Sequence, residues 1–202
     1  MITLGLAAAI ATLPTQEHTF QLGWEVGDKI VYLVNLDSET GISSGSGEIT
    51  LNVTSLKDGK YHVSWIEVKT ENNQRKTKSG TCQFSKHGEY FTTGATGSAE
   101  FLLLQMALPA SSISVGETYK TQSKVRKDTF YITGKFLKFD DGKSLAHLQS
   151  NSGPKSIKAD EQGLFDISTV FDLKQQLITE GSLKYSEFGL TYKIKLKELI
   201  RA

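Results

Sequence analysis

Hydrophobic and polar residues alternate along much of this 202-residue chain with a period of two. The clearest stretch is near its end, where Tyr192, Ile194 and Leu196 are interleaved with Lys193, Lys195 and Lys197. That period predicts a half-buried strand, with lysines on the solvent face that discourage edge pairing. Phe165, Ile167, Thr169, Phe171 and Leu173 share one parity, as do Ile49, Leu51 and Val53, with Thr50, Asn52 and Thr54 opposite. Ile30 to Val34 and Tyr61 to Val68 are apolar on both parities, which predicts strands covered on both faces. The spacing gives about eleven strands in all.

The turn signals agree. Asp58-Gly59 and Asp141-Gly142 separate apolar runs and predict two-residue hairpins, because a type I′ turn needs positive φ at both central positions. Asn72-Asn73, His87-Gly88 and Gln175-Gln176 are further turn candidates, and Asn151 to Gly163 reads as a long polar loop. One segment breaks the period. Ser98 to Leu108 has a helix N-cap residue, strong helix formers and a stop at Pro109. It is apolar almost all round, which predicts a short buried helix.

The second half of the sequence echoes the first. Val26-Gly27-Asp28 recurs as Val115-Gly116-Glu117 at an offset of 89, and Asp58-Gly59-Lys60 as Asp141-Gly142-Lys143 at 83. Phe84, Thr92 and Gly94 recur as Phe171, Thr179 and Gly181 at 87. The expected fold class is therefore all-β: two related antiparallel sheet units, as curved sheets, a sandwich or a half-barrel, with one short buried helix. The expected organisation is a signal-like leader over 1–17, a first β unit over 18–94, a helical connector over 95–112 and a second β unit over 113–202.

Composition narrows the picture without naming a chemistry. A net charge of +1 gives no field that recruits nucleic acid. Its distribution is uneven: residues 1–101 hold 8 Lys+Arg against 11 Asp+Glu, and residues 102–202 hold 15 against 11. The single cysteine, Cys82, excludes an internal disulfide and reads as a buried thiol. Leu4 to Ala11 is a short apolar run ending in Ala-x-Ala, which has the pattern of a secretory signal peptide and is too short to be a transmembrane segment.

The motifs with chemical precedent fail on their context. Gly41-Ile42-Ser43-Ser44-Gly45 has the G-x-S-x-G spacing, but leads into a strand where a nucleophile elbow needs a helix. Asn35, Asp37 and Glu39 have the alternation of a calcium loop, but Thr40 and Ser46 stand where glycine and glutamate are required, so a solvated loop is expected. Gly94 to Ser98 lacks a P-loop lysine. His18, His62, His87 and His147 have no zinc-site spacing, and the paired acids Asp140-Asp141 and Asp160-Glu161 fall in a turn and a loop. Lys120, Lys124, Arg126, Lys127, Lys135 and Lys138 interleave with Phe130, Tyr131, Phe136 and Phe139, which reads as the solvated face of a sheet. No catalytic residue, metal ligand or cofactor is expected.

Leu108-Pro109 followed by Ile113-Ser114-Val115-Gly116-Glu117-Thr118-Tyr119 resembles a recurring segment of an uncharacterised exported bacterial β-sheet protein family with two related halves. Gly163-Leu164-Phe165-Asp166 and Phe171-Asp172 to Gly181 are similar to that family's closing strands. The resemblance implies a β-rich periplasmic or secreted, cell-envelope protein and brings no catalytic residues. The leading expectation for function is non-catalytic binding of an apolar small molecule or lipid chain. Phe101, Leu102, Leu104 and Met106 of the helix, with Trp24 and Trp65, are the candidate ligand-lining residues. The alternative is a structural or interaction module that meets a protein partner through sheet edges or faces. A hydrolase with scattered carboxylates or serines ranks below both.

Overall fold

The computed structural model describes residues 16–39, 45–71, 74–94, 107–154 and 163–202. The strands in chain order are β1 (Glu17–His18), β2 (Lys29–Ser38), β3 (Gly45–Lys57), β4 (Lys60–Glu71), β5 (Gln74–Ser85), β6 (Tyr90–Thr92) and β7 (Ile113–Ser114). They continue as β8 (Thr118–Val125), β9 (Asp128–Asp140), β10 (Leu145–Gly153), β11 (Phe165–Asp172), β12 (Leu177–Tyr185) and β13 (Leu190–Ile200). The all-β expectation holds. The leader 1–15 and most of the expected helix, 95–106, lie outside the described residues.

Eleven of these strands form one closed barrel in place of two separate sheets. β2 to β6 make one antiparallel meander and β8 to β13 another. Each meander has two edges, and the two meanders meet at two seams, one long and one short. β13 pairs antiparallel with β2, from Leu190↔Ser38 to Ile200↔Lys29. β6 pairs parallel with β8 over Phe91↔Lys124 and Thr92↔Val125. Closure of this kind covers most of the edge that a half-barrel or sandwich would leave, though Gln74 to Ser79 of β5 pairs on one side only among the described strands.

The period of two sorts the residues as expected. Tyr32, Leu51, Val63, Leu148, Ile167, Leu183 and Ile194 point inward and are buried. The outer face carries polar ladders, including Lys193–Asp37 at 2.9 Å, Lys195–Glu180 at 3.1 Å, Lys184–Glu39 at 2.9 Å and a Lys197–Glu48 pair. Asn35 and Asp37 thus sit on a strand and not in a loop. A membrane-spanning barrel shows the reverse alternation, apolar outside and polar inside. Two-sided covering is only local: Val31 on the outer face of β2 is buried, while Leu33 on the same face is 38% exposed and Ile66 of β4 45%. Where the parity rule puts an acid inward, as at Glu67, it is fully buried.

Strand topology puts the β3–β4, β5–β6, β9–β10 and β11–β12 turns at one end of the barrel. That end is sealed by the segment before β2. Phe20, Leu22 and Trp24 alternate into it. Phe20 meets Phe136 edge-on at 5.2 Å and Phe171 at 5.7 Å, and Trp24 packs on Tyr61 and Phe84. The strap's backbone is tied to the turns by Leu22 N–H donating to Lys86 O and Gly23 N–H to Gln176 O. Tyr61 Oη donates to Leu22 O at 2.8 Å. Arg201, just beyond β13, donates to Gly23 O at 2.8 Å and to Asp28 Oδ2 at 2.6 Å. Asp28 Oδ2 also accepts the Glu25 N–H at 2.9 Å, while its side chain is fully buried.

The turn that starts β2 and the turn that starts β8 are built alike. Gly27 (φ +101°) and Gly116 (φ +95°) occupy backbone conformations that side chains rarely adopt. Glu117 accepts the Ser114 N–H at 2.7 Å, as Asp28 does that of Glu25. Gly27 N–H donates to Val53 O and receives the return bond through Asp28 O, while Gly116 and Glu117 exchange the same pair with Phe136. In both receiving strands a bulge follows at once, between Val53 and Ser55 and after Phe136.

The Asp-Gly turns differ from each other. Asp58 (φ +51°) and Gly59 (φ +71°) make the expected type I′ hairpin. Asp141-Gly142 does not: it lies in a 3-10 turn over Asp141–Lys143, and Ser144 takes the left-handed conformation at φ +57°. The pairing stops at Asp140↔Leu145, so four residues must be spanned, which a type I turn followed by a left-handed residue does. Gly88 and Gln176 supply positive φ in the other two turns at this end. Asn72-Asn73 lies outside the described residues.

Two consequences can be measured. Arg201→Ala leaves the buried Asp28 carboxylate without its counter-charge. Urea denaturation should show a loss of about 2 kcal/mol, below the roughly 3–5 of a fully buried pair because Arg201 is partly solvated. His147, on the outer face of β10, is held below the usual imidazole value of 6.5 by burial and by Lys138, against the opposing pull of Asp140 and Glu180. The folded chain therefore binds fewer protons there than the unfolded chain. The stability from neutral His147 is complete above pH 6.5 and declines as pH falls through the folded-state value. In His147→Gln this decline should vanish from a stability profile taken between about pH 7 and pH 5.

Candidate functional site: the end of the barrel opposite the strap

The end opposite the strap carries a graded set of aromatic side chains. Phe165, the first residue of β11, is buried inside the wall. Its ring meets Tyr185 of β12 edge-on at 4.8 Å and Phe130 of β9 at 6.3 Å. Tyr185 in turn meets Phe188 at 4.5 Å, and Phe188 is 56% exposed. The β12–β13 connection produces this arrangement: a 3-10 turn over Ser186–Phe188 closes with Gly189 at φ +59° and carries the chain back into β13. The four rings form a continuous path from core to solvent. Edge-to-face pairs of this kind contribute about 0.5–1.5 kcal/mol beyond area burial.

Polar groups sit beside and below this path. Ser152 of β10 stands opposite Phe165 in the ladder, and its Oγ is buried with no hydrogen-bond partner among the described residues. Trp65 Nε1 and Tyr90 Oη are in the same condition. Other buried hydroxyls are satisfied: Tyr32 donates to Ile178 O at 3.0 Å, and Tyr119 bonds Ser150. Burial pushes the phenol pKa of both tyrosines up, so they stay neutral. On the far wall Val34, Leu36, Gly47, Glu67, Lys69 and Tyr192 surround a void of about 10 Å³, too small for more than one water.

A second concavity lies on the outer face, across β4, β5, β6 and β8. It is a groove of about 450 Å³. The ladder aligns His62, Gln83, Phe91 and Lys124 side by side along it. Thr54, Thr81 and Thr93 rim it, and Arg126 stands at its upper edge. Lys60 Nζ lies 4.1 Å above the Phe91 ring. Cys82 faces inward behind it and is buried, as the sequence suggests.

Of the sequence-predicted lining residues, Trp24 and Trp65 lie among the described residues. Trp24 is part of the sealed base, against Tyr61 and Phe84. Trp65 is higher on β4 and lies across Gly80, where a methyl group would sit 2.8 Å from the indole. Phe101, Leu102, Leu104 and Met106 lie outside the described residues. The basic and aromatic run of β8 and β9 divides by parity: Phe130 and Phe136 turn inward, and Lys124, Lys135 and Lys138 stay outside. The alternating pattern conveys that division. The ring path through Phe188 was not legible, because it depends on a turn that brings two strand ends together.

No protein-family model matches the chain, and no curated protein sequence matches it. Solved structures do. A β-barrel-like protein of a domain of unknown function from Brucella abortus superposes with a TM-score of 0.54 at 8% identity, covering 91% of this chain and 100% of that one. The likeness shows the fold: an all-β, barrel-like architecture shared with a bacterial protein. A protein from Bacteroides fragilis inferred to be exported, with a YmcC-like fold, matches with a TM-score of 0.37 at 10% identity over 90% of this chain and 99% of that one. A DUF1329-family protein from Desulfovibrio piger matches with a TM-score of 0.30 at 10% identity over 87% and 86%. Among the described residues no helix is long and apolar enough to cross a membrane, and no three acidic, histidine or cysteine side chains are grouped to hold a metal ion.

The ring path separates core from surface in a testable way. Phe165→Ala should cost about 3–5 kcal/mol in chemical denaturation, as for other buried phenylalanines. Phe188→Ala should cost under about 1 kcal/mol, because most of its ring already faces water.

Proposed function

We propose that this chain is a non-catalytic, exported or cell-envelope barrel that takes an apolar small molecule or lipid chain at the end opposite the strap. The aromatic path from buried Phe165 to exposed Phe188 carries this reading. A single exposed phenylalanine needs no explanation, but one packed edge-on against a tyrosine that leads into the core offers an apolar chain a continuous surface. The mouths of β-barrels are common sites for such ligands. The strap over Phe20, Leu22 and Trp24 closes the other end. The buried Oγ of Ser152, opposite Phe165 in the ladder, is available to a ligand's polar group or to water. The leader-like run Leu4 to Ala11 supports a periplasmic or secreted location. The matched turns at Gly27 and Gly116 support descent of the two halves from one β unit.

A neutral fluorescent probe, N-phenyl-1-naphthylamine, tests the reading. Its emission should rise on binding, and Phe188→Ser and Tyr185→Ser should each weaken binding by about fivefold, the loss of part of one aromatic contact. No uptake, or uptake indifferent to both substitutions, would remove this end as a ligand site.

One observation favours an interaction module instead. The upper part of β5, Gln74 to Ser79, pairs with β4 on one side, and no described strand covers its other side. Such an edge can accept a partner strand. Arg75, Lys76 and Lys78 on it are the charges that discourage indiscriminate pairing. A concentration-dependent rise in mass by light scattering, abolished by proline at Thr77, would favour this role.

A further inference from the structure

The outer groove across β4, β5, β6 and β8 has a chemistry of its own, separate from the end opposite the strap. Its cations are Lys124 and Arg126, two residues apart at the end of β8 and in the turn that follows. Among the described residues no aspartate or glutamate lines the groove, and neither side chain is ion-paired to a described residue. Two like charges side by side without a counter-charge repel, and an anion placed between them relieves that cost.

The placement of Arg126 is specific. It takes φ +56°, a left-handed conformation that an arginine adopts at some cost and a glycine adopts freely. Its backbone N–H donates to Thr92 O at 2.7 Å, and its Nε donates to Gly94 O at 3.2 Å. These two bonds fix the base of the guanidinium at the groove rim. They leave the Nη pair, the part that forks onto an oxyanion, without a partner among the described residues. The left-handed backbone comes from the β8–β9 hairpin, whose pairing ends at Val125↔Asp128 and leaves Arg126 and Lys127 as its two turn residues. Around the cations stand further hydrogen-bonding groups: Thr81, Thr93, Gln83 and His62. Thr54 Oγ1 already donates to His62 O at 3.0 Å, so it has only acceptor capacity to offer. A groove of about 450 Å³ holds more than a bare anion.

We infer that this groove binds a phosphate group carried on a small hydroxyl-bearing body, with Arg126 and Lys124 holding the phosphate and the threonine and glutamine side chains holding the hydroxyls. Two sources supply that chemistry, a soluble phosphate ester and a glycerophospholipid headgroup. The binding rests on the groove alone and stands or falls independently of the proposed apolar site.

Calorimetry on the full chain with glycerol 3-phosphate, inorganic phosphate and vesicles of phosphatidylglycerol or phosphatidylcholine tests it. Glycerol 3-phosphate should bind at one site per chain, more tightly than inorganic phosphate. Lys124→Gln and Arg126→Gly should each weaken it about tenfold, equivalent to about 1.4 kcal/mol. Arg126→Gly should not lower the melting temperature, since glycine suits φ +56° better than arginine. That separates a binding role from a structural one. Arg126→Lys keeps the charge and loses the fork, and should fall between the two. Variant-sensitive binding of phosphatidylglycerol vesicles with none of glycerol 3-phosphate supports the inference and assigns the phosphate to a lipid headgroup. Binding of inorganic phosphate as tight as that of the ester overturns the hydroxyl-bearing body. No binding of any phosphate probe, or binding unchanged in both variants, overturns the inference entirely.

Discussion

A fully buried carboxylate, Asp28, is held by the guanidinium of Arg201, and the architecture converges on that contact. Asp28 ends the strap that seals the base and begins the turn into β2. Arg201 ends the strand that closes the barrel against β2. One ion pair therefore joins the seal, the first wall strand and the last. Its location matters more than its strength. A buried pair does not by itself stabilise a fold relative to apolar packing, but it does punish any arrangement that separates the partners. Here separation would mean an open wall or an unseated strap. The bond from Arg201 to Gly23 O extends the same constraint into the strap's backbone.

The two ends of the barrel divide the work. At the base, Phe20, Leu22 and Trp24 interlock with Phe136, Phe171, Tyr61 and Phe84, and the backbone of the strap is tied to the turns beneath it. At the opposite end the apolar rings run from the core out to solvent. Rigid packing at one end permits an exposed apolar surface at the other, a common relation between a scaffold and the site it positions. The outer groove belongs to the seam, where β6 is only three residues long and neighbouring strands bring Lys124 and Arg126 beside β5 and β4.

Much of this was legible in the residues. Alternation located the strands and their inward faces, because burial on one side of a sheet imposes a period of two. Asp58-Gly59 specified its hairpin, since both residues must accept positive φ. Asp141-Gly142 misled because turn type depends on where pairing stops, and pairing is a property of two strands. Closure was not legible for the same reason. Nothing local in Leu190 to Ile200 or Lys29 to Ser38 marks them as partners, and a curved sheet, a sandwich and a barrel share one alternation. The strap escaped notice because Phe20, Leu22 and Trp24 alternate over too few residues to stand apart from a strand. Arg126 carried a faint signal: a basic pair before Asp128 between two strands is a turn, but its left-handed backbone is visible only in three dimensions.

The β13–β2 pairing has a kinetic consequence. Every other antiparallel contact in the wall joins strands adjacent in sequence, so each can form as soon as its hairpin exists. The closing ladder matches Ile200 with Lys29, nearly the whole length of the chain apart. The entropy of bringing such distant segments together must be met before the contacts return anything. Until the last strand docks, the backbone of β2 presents an open template to any extended chain nearby. The aggregation hazard of this protein is therefore concentrated in the interval between forming the first hairpin and seating the last strand.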